Sequence, residues 1–211
     1  MIALTEQDDR TLLLAWQAGD KRAGGALIDR YLASILRFFR NKVRDGGQAE
    51  ELTQRTFKGA VEGVLRFRDG ASVRTWMFAI ARNILRQWAE ETARARGRSS
   101  DLGDASVADL GAGPSTVVAK RREQRLMLEG LRRLPIESQL VLELFYWEQM
   151  TAKQLGEVLE CPEGTARSRL RKAKLELRGT LDALARDPGE LESTVHGLET
   201  WARELRAAWG A

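Results

Sequence analysis

Apolar residues recur at spacings of three and four along most of the chain, the periodicity of amphipathic α-helices. The helical runs break near Gly19–Asp20 and again at Gly46–Gly47. A long run begins after Ser72, which is a candidate N-cap. No segment alternates apolar and polar residues over a useful length, as a half-buried strand would. The pattern therefore predicts an all-α protein.

Residues 99–119 interrupt this pattern with three Asp, three Gly and one Pro, and they contain no Lys or Arg. Such a composition predicts a flexible acidic linker. The linker separates two small helical domains, which we place at residues 1–98 and 120–181. A C-terminal helical tail follows at residues 182–211.

The tail carries apolar residues on one predicted helical face, and it holds six acidic and three basic residues. We expect this face to pack on one of the two domains, because amphipathic helices bury their apolar side. The alternative is a regulatory role, in which the tail covers Arg167–Arg171 as an internal brake. The apolar positions are Leu191, Val195, Leu198, Trp201, Leu205 and Trp209.

The amino-acid composition excludes several classes of protein. The 211 residues include 34 basic and 30 acidic side chains, and the net charge of +4 allows a nucleic-acid partner without demonstrating one. One cysteine and one histidine are too few for a disulfide or an ordinary zinc site. No phosphate-binding loop or nucleophile motif occurs, so we expect neither an enzyme nor a cofactor nor a metal. Without a secretory signal or a membrane-spanning run, we expect a cytoplasmic protein that does not insert into membranes.

Two short helices joined by a tight turn are predicted between residues 151 and 178. Thr151 is a candidate N-cap of the first helix, and Gly156 is a small residue where the two helices would cross. The turn precedes the sequence CPEG, and Glu160 stands where Gly or Asn is usual because φ is positive there. This arrangement is typical of a helix-turn-helix.

The second of these helices carries a basic face. Its Arg, Lys, Thr and Ser side chains are of the types that reach phosphates and base edges. A solvated charged face is the alternative, but the two-helix context favours contact with DNA. The candidate DNA-binding residues are Thr165, Arg167, Ser168, Arg169, Arg171 and Lys172.

The long helix of the N-terminal domain carries a second basic stripe. Arg74, Phe78, Arg82 and Arg86 recur every four residues, and Asn83 borders them. Arg can hold phosphates, Phe can stack on a base and Asn can read a splayed base, so the stripe suits single-stranded nucleic acid. The alternative, which we favour for Phe78, places its ring in the core.

Three segments resemble bacterial RNA polymerase sigma factors of the extracytoplasmic-function group. They are QAEELTQRTF, SVRTWMFAIARNILRQW and LRRLPIESQLVLELFYWEQMTAKQLGEVLECPEGTARSRLRKAKLELR, similar to regions 2.2, 2.3–2.4 and 4. The resemblance covers about residues 8–180, and the order, the spacing and the linker agree. It implies an alternative sigma factor that binds core polymerase, recognises −35 and −10 elements and stabilises melted DNA. A sigma-like decoy for an anti-sigma factor and a conventional helix-turn-helix regulator remain as alternatives.

The resemblance also assigns residues and partners. It implies that core RNA polymerase is bound through its β′ clamp helices and β flap, that promoter DNA is bound both as duplex and as single strand, and that an anti-sigma factor is a further candidate partner. The −10 element would be opened and read by Arg74, Trp76, Arg82 and Asn83, to which the basic stripe adds Phe78 and Arg86. The −35 element would be read by the second helix of the helix-turn-helix, and the linker would follow the RNA exit path. The helix that docks on the clamp contains Glu50, Glu51, Leu52, Gln54 and Phe57.

The docking segment is less acidic than is usual in this family, because Gln48 and Arg55 stand at acidic positions. One hypothesis is that a Ser/Thr kinase supplies the missing charge by phosphorylating Thr53 or Thr56. The alternative is that the two glutamates suffice, with Arg55 paired to Glu51 one turn earlier.

Overall fold

The computed structural model describes residues 2–43, 45–67, 70–95 and 122–190, together with residues 192, 194, 197 and 200. Regular structure in these ranges is helical, which confirms the all-α prediction. The helices are α1 (Ile2–Gln17), α2 (Lys21–Arg40), α3 (Gly46–Gly63), α4 (Val73–Ala95), α5 (Arg122–Arg133), α6 (Ile136–Tyr146), α7 (Ala152–Leu159) and α8 (Glu163–Leu184), and a short 3-10 helix (Val64–Arg66) follows α3. The predicted linker, residues 99–119, lies outside the described residues.

Side chains next to the helix starts satisfy the first free backbone N–H groups. Asp20 accepts a hydrogen bond from the backbone of Arg22 at 2.8 Å, and Ser72 accepts one from Thr75 at 3.1 Å. Thr151 and Gln154 form a capping box, in which the Thr151 N–H donates to the Gln154 side chain at 2.8 Å. The predicted N-caps at Ser72 and Thr151 are confirmed.

The predicted break at Gly46–Gly47 is wrong in one respect. Asp45 caps α3 by accepting from the backbone of Gly47 at 3.2 Å, so both glycines lie inside the first helical turn. Helix α2 ends at Arg40 and α3 begins at Gly46, so the break falls before the two glycines. Aspartate at an N-cap outweighs the low helix propensity of the glycines that follow it.

The N-terminal domain packs α1 to α4 around a core that includes Leu27, Ile35, Phe39 and Leu52. Helix α4 is buried at Val73, Met77, Phe78, Ala81, Leu85 and Trp88, whereas Trp76, Ile80 and Ile84 are half-buried. The buried side of α4 is therefore wide. It faces neighbours on two sides, α3 in its own domain and α7 in the C-terminal domain.

The C-terminal domain packs α5, α6 and α7 against the long helix α8. Ala166, Leu170, Ala173, Leu177 and Leu181 form the buried face of α8, at helical spacing. Within the described residues, no helix is long and apolar enough to cross a membrane. The same residues hold no group of three or more His, Cys, Asp or Glu side chains that could bind a metal ion.

The two domains pack directly on each other. Helix α4 contacts α7, and buried apolar residues from both domains form one continuous core. Phe38 of α2 lines a small cavity together with Leu144 and Trp147 at the end of α6. The sequence predicted two domains, but it did not predict the contact between them, which only the tertiary structure shows.

Candidate nucleic-acid interfaces

Two residues shape the turn between α7 and α8: Gly156, which lies where the helices cross, and Glu160, whose φ is positive. A Cβ atom on Gly156 would lie 2.7 Å from the carbonyl oxygen of Cys161, closer than Cβ atoms approach backbone in proteins. Cys161 in turn donates its backbone N–H to the Gly156 carbonyl at 2.9 Å. Glu160 caps α7 in the left-handed region at φ 54°, where a non-glycine residue costs about 1 kcal/mol. The helix crossing and the positive φ predicted from the sequence are both confirmed.

The DNA-facing residues predicted on α8 are all exposed. Arg167 forms an ion pair with Glu163 one turn earlier, and the Ser168 hydroxyl donates to the Gly164 carbonyl at 3.1 Å. Lys172 lies 3.5 Å from Glu176. Exposed pairs at this spacing are weak, so a phosphate can replace the carboxylates. The exposed set comprises Thr165, Arg167, Ser168, Arg169, Arg171 and Lys172.

Phe78 lies in the core of the N-terminal domain, with none of its surface exposed to solvent. Its ring packs edge-on against Phe38, with centroids 5.8 Å apart. The expectation that Phe78 stacks on a DNA base is therefore wrong, and the core alternative is confirmed. The physical reason is that α2 packs against α4 on the Phe78 side, where it places the Phe38 ring.

Two of the predicted −10 arginines contact the C-terminal domain instead of solvent. Arg74 donates to the Glu148 carboxylate at 2.7 Å, and the same carboxylate accepts from Arg37 of α2 at 3.0 Å. Arg82 is 6% exposed and lies 3.4 Å from Glu137 at the start of α6. In this conformation Arg82 is covered, and Arg74 remains part-exposed with its guanidinium group engaged by Glu148.

The remaining −10 candidates differ in exposure. Asn83 and Arg86 are exposed on α4. Trp76 is half-buried, and its ring packs edge-on against Phe67 with centroids 5.1 Å apart. The structure therefore brings only part of the predicted stripe to the surface.

A buried ion pair that sequence reasoning missed also joins the domains. The ammonium group of Lys42, with no exposed surface, donates to the carboxylate of Glu143 and, at 2.8 Å, to the Phe38 carbonyl. Gln139 donates to the other Glu143 oxygen at 2.8 Å. Burial lowers the pKa of Lys42, and the Glu143 carboxylate opposes that shift. No local pattern could reveal a pair whose members lie 101 positions apart.

Comparison with known proteins assigns both domains. The sigma-70 region 2 family matches residues 27–95, and the sigma-70 region 4 family matches residues 124–177. Over 196 residues the chain is 28% identical to the RNA polymerase sigma-H factor of Pseudomonas aeruginosa, covering 87% of this chain and 99% of the relative. It is 25% identical over 188 residues to the ECF RNA polymerase sigma-E factor of Haemophilus influenzae, covering 83% and 96%.

The chain is a sigma factor of the extracytoplasmic-function group. Its fold agrees with two solved structures. CnrH in complex with the cytosolic domain of CnrY superposes with a TM-score of 0.62 at 22% identity, covering 84% of this chain and 99% of that one. The sigma factor RpoE in complex with the anti-sigma factor NepR from Bartonella quintana gives a TM-score of 0.53 at 20% identity, covering 73% and 95%. Below, region 2 means α1–α4 and region 4 means α5–α8.

The predicted docking helix of this sigma factor is α3. Glu50, Glu51 and Gln54 are exposed along it, whereas Leu52 and Phe57 are buried in the region 2 core. Both side chains pack in the core that holds α3 in place, and the docking of this helix on the polymerase stays a prediction. The exposed glutamates and Gln54 are left to form the surface.

The phosphorylation hypothesis for region 2 is contradicted by burial. Thr53 is 3% exposed and Thr56 is fully buried. Their hydroxyls donate to the carbonyls of Ala49 and Leu52, at 2.7 Å and 2.9 Å. A kinase needs an accessible hydroxyl, and a buried phosphate would lack the solvation that its charge requires. Neither threonine is therefore a modification site in the folded protein.

Arg55 does not pair as predicted. It reaches across to α4 instead of to Glu51, with a nitrogen 3.8 Å from Glu91 and another 3.5 Å from Gln87. This leaves Glu51 exposed on α3.

The start of the tail folds back beside α8. Glu192 pairs with Arg178 at 2.8 Å, and Thr194 is buried. These contacts fall on the C-terminal half of α8, away from Arg167–Arg171. The predicted apolar face of the tail, beginning at Leu191, lies outside the described residues.

Proposed function

We propose that this sigma factor gives core RNA polymerase its choice of promoter by reading a −35 duplex with α8 and holding a melted −10 strand on region 2. The observation that carries this proposal is the exposed basic face of α8, presented as the second helix of a helix-turn-helix. In that motif the N-terminal part of the second helix enters the major groove. Nothing in this role needs a catalytic residue, and its site of action is the cytoplasm, where polymerase and promoter meet.

The side chains of α8 divide by chemistry. Arg167 and Arg169 have the planar donors that form bidentate bonds with guanine. Thr165, Ser168, Arg171 and Lys172 suit phosphate and sugar contacts, which fix orientation. The inward packing of Leu170 and Ala173 holds α8 so that these polar residues share one outer surface.

Region 2 has the groups that a melted strand needs, although part of them is covered here. Arg74, Arg82 and Arg86 supply charge for phosphates, while Trp76 and Asn83 suit base stacking and base reading. Opening duplex DNA costs about 1–2 kcal/mol per base-pair step. Capturing unpaired bases offsets part of this cost, so a sigma factor benefits from a second site separate from α8.

Core polymerase would meet α3 through Glu50, Glu51 and Gln54, whose exposure supports contact with the β′ clamp helices. Region 4 would meet the β flap. The related sigma factor RpoE is solved in complex with an anti-sigma factor, and we extend that kind of partner to this chain.

The alternatives explain fewer features. A decoy that binds only an anti-sigma factor does not need the exposed basic face of α8. A conventional helix-turn-helix regulator does not need region 2 or its acidic α3 surface. The structure offers no specific observation that favours either one.

Run-off transcription tests the proposal. The full chain is mixed with core polymerase and a pool of genomic promoter fragments, and the transcripts are sequenced. We expect initiation from a set of promoters that share −35 and −10 elements. An Arg167→Ala/Arg169→Ala variant should lose these transcripts, while Arg133→Ala, an exposed change on α5, should retain most of them. Absence of any sigma-dependent transcript from the unaltered chain rejects the proposal.

A further inference from the structure

Region 4 neutralises one basic surface of region 2. All the carboxylates involved belong to residues 136–148, which we call the acidic segment: α6 and the turn after it. This segment forms ion pairs with basic side chains of region 2. The pairs are Arg37–Glu148, Arg74–Glu148, Lys42–Glu143 and Arg82–Glu137.

These contacts fall on the surface assigned to melted DNA. Arg74 and Arg82 are two of the arginines proposed to hold the −10 strand, and each meets a glutamate oxygen. A carboxylate and a phosphate make the same kind of charge-assisted hydrogen bond with a guanidinium group. The acidic segment therefore occupies positions that the DNA phosphates need.

The two proposed DNA-binding sites differ in how much of their basic surface is exposed. Arg167 and Arg169 on α8 are exposed, whereas Arg82 is almost fully covered. Docking of region 4 on region 2 leaves the duplex-reading face accessible, covers Arg82 and pairs Arg74 with a carboxylate.

We propose that the acidic segment is an internal inhibitor, which holds the free sigma factor closed and must leave region 2 before the −10 strand can bind. This inference rests on the proposed function, because the covered residues are those assigned to melted DNA. It concerns regulation by a segment of the chain itself and needs no inhibitory partner. It places the brake in the acidic segment.

The composition of the interface makes the closed state reversible. Burying Lys42 and Glu143 removes two charges from water, and the attraction between them repays that cost only in part. An interface with such a pair is weaker than an apolar interface of the same size. Arg82 adds to this, since its Nε atom is buried without a hydrogen-bond partner in the described structure. Competing phosphates or the polymerase surface can therefore displace the acidic segment.

The first arm of the test measures closure in the full chain without polymerase. Cysteines replace the exposed residues Ala26 of α2 and Ala183 of α8, in a Cys161→Ser background, and carry spin labels for distance measurement. The parent should give one narrow distance distribution. Glu148→Gln, which weakens the contacts to Arg37 and Arg74, should broaden it toward longer distances. Glu129→Gln is the matched control, because Glu129 pairs within α5, with Arg133 at 2.6 Å.

The second arm measures binding of a mixed-sequence 20-nucleotide single strand and of a 30-base-pair duplex. Glu148→Gln should bind the single strand about tenfold more tightly than Glu129→Gln, because loss of the Glu148 charge weakens the two hydrogen bonds, from Arg37 and Arg74, that hold the closed state. Duplex affinity should be equal in the two variants, because α8 is exposed in both conformations.

The outcomes separate the inference from the proposed function. Longer distances together with tighter single-strand binding support the inhibitor. If Glu148→Gln and the double variant Glu137→Gln/Glu148→Gln both match Glu129→Gln in distance and affinity, the inhibitor is rejected. Run-off transcription by the unaltered chain decides the proposed function independently. Its failure would leave the distance result standing.

Discussion

Arg74 donates a hydrogen bond to Glu148 over 2.7 Å, although 74 positions separate the two residues. Arg74 is the first residue of the basic stripe on α4, and Glu148 is the last residue of the acidic segment. Their contact shows that a surface suited to nucleic acid is held against the protein's own carboxylates. The same carboxylate also binds Arg37, so one glutamate ties two helices of region 2 to region 4.

The buried pair of Lys42 and Glu143 should behave as a unit. Lys42→Met leaves Glu143 buried without its cation and should lower the free energy of unfolding by about 3–5 kcal/mol. The double variant Lys42→Met/Glu143→Gln removes both charges and keeps an acceptor for Gln139, so it should recover most of that loss. Urea unfolding of the three proteins measures the coupling. Equal losses of unfolding free energy in the single and double variants would show that leaving Glu143 without its cation has no cost.

The exposed arginines of α8 should carry sequence recognition. Replacing Arg167 or Arg169 with alanine should weaken binding to a selected −35 duplex by about 1–3 kcal/mol and relax the base preference at one position. Arg171→Ala should instead weaken all duplexes similarly, as a phosphate contact does. Fluorescence anisotropy with a panel of single-base variants distinguishes these effects. A uniform loss for Arg167→Ala would assign it to the backbone.

Gly156 should be intolerant of any side chain. Alanine there would place its Cβ against the Cys161 carbonyl, which should cost about 1–3 kcal/mol in stability. Gly179→Ala is the matched control, because its Cβ meets open space within α8. That change should stabilise the protein by about 0.5–1 kcal/mol. The two melting curves should therefore shift in opposite directions.

The left-handed conformation of Glu160 offers a stabilising change. Asn accepts this conformation more readily, so Glu160→Asn should raise the free energy of unfolding by about 0.5–1 kcal/mol. Glu160→Gln removes the charge and keeps the unfavourable backbone preference, so it should have little effect. If Gln stabilises as much as Asn, the gain comes from charge and the conformational explanation fails.

Charge added to α3 should act only where the helix is exposed. Gln54→Glu should strengthen binding to core polymerase by about 0.2–1 kcal/mol, the range for exposed charges. Thr56→Glu buries an unpaired carboxylate and should lower stability by about 3 kcal/mol or more. Thermal unfolding and core-binding titrations distinguish the two positions. A stable Thr56→Glu protein with raised core affinity would revive the phosphorylation hypothesis.

Features set by near neighbours could be predicted from the sequence. The caps at Ser72 and Thr151 each depend on a partner three residues away. The turn of the helix-turn-helix follows from Gly156 and from the strained position of Glu160. The basic face of α8 follows from helical periodicity, because its inward residues are small or apolar at every third or fourth position.

The role of the basic stripe on α4 depends on its contacts with other helices, and helical periodicity does not reveal these contacts. A stripe with Phe78 and Arg82 is compatible with a DNA surface, a core or an ion-pair interface, since a helix has the same spacing in each. The pairing of Lys42 with Glu143 and of Arg74 with Glu148 required region 4 to fold back on region 2. The sequence by itself determined the helices, their caps and the exposed recognition helix, because these depend on residues within one or two turns. Only the tertiary structure decided which basic surface is open and which is closed, because charge pairing between domains depends on distance in space and not along the chain.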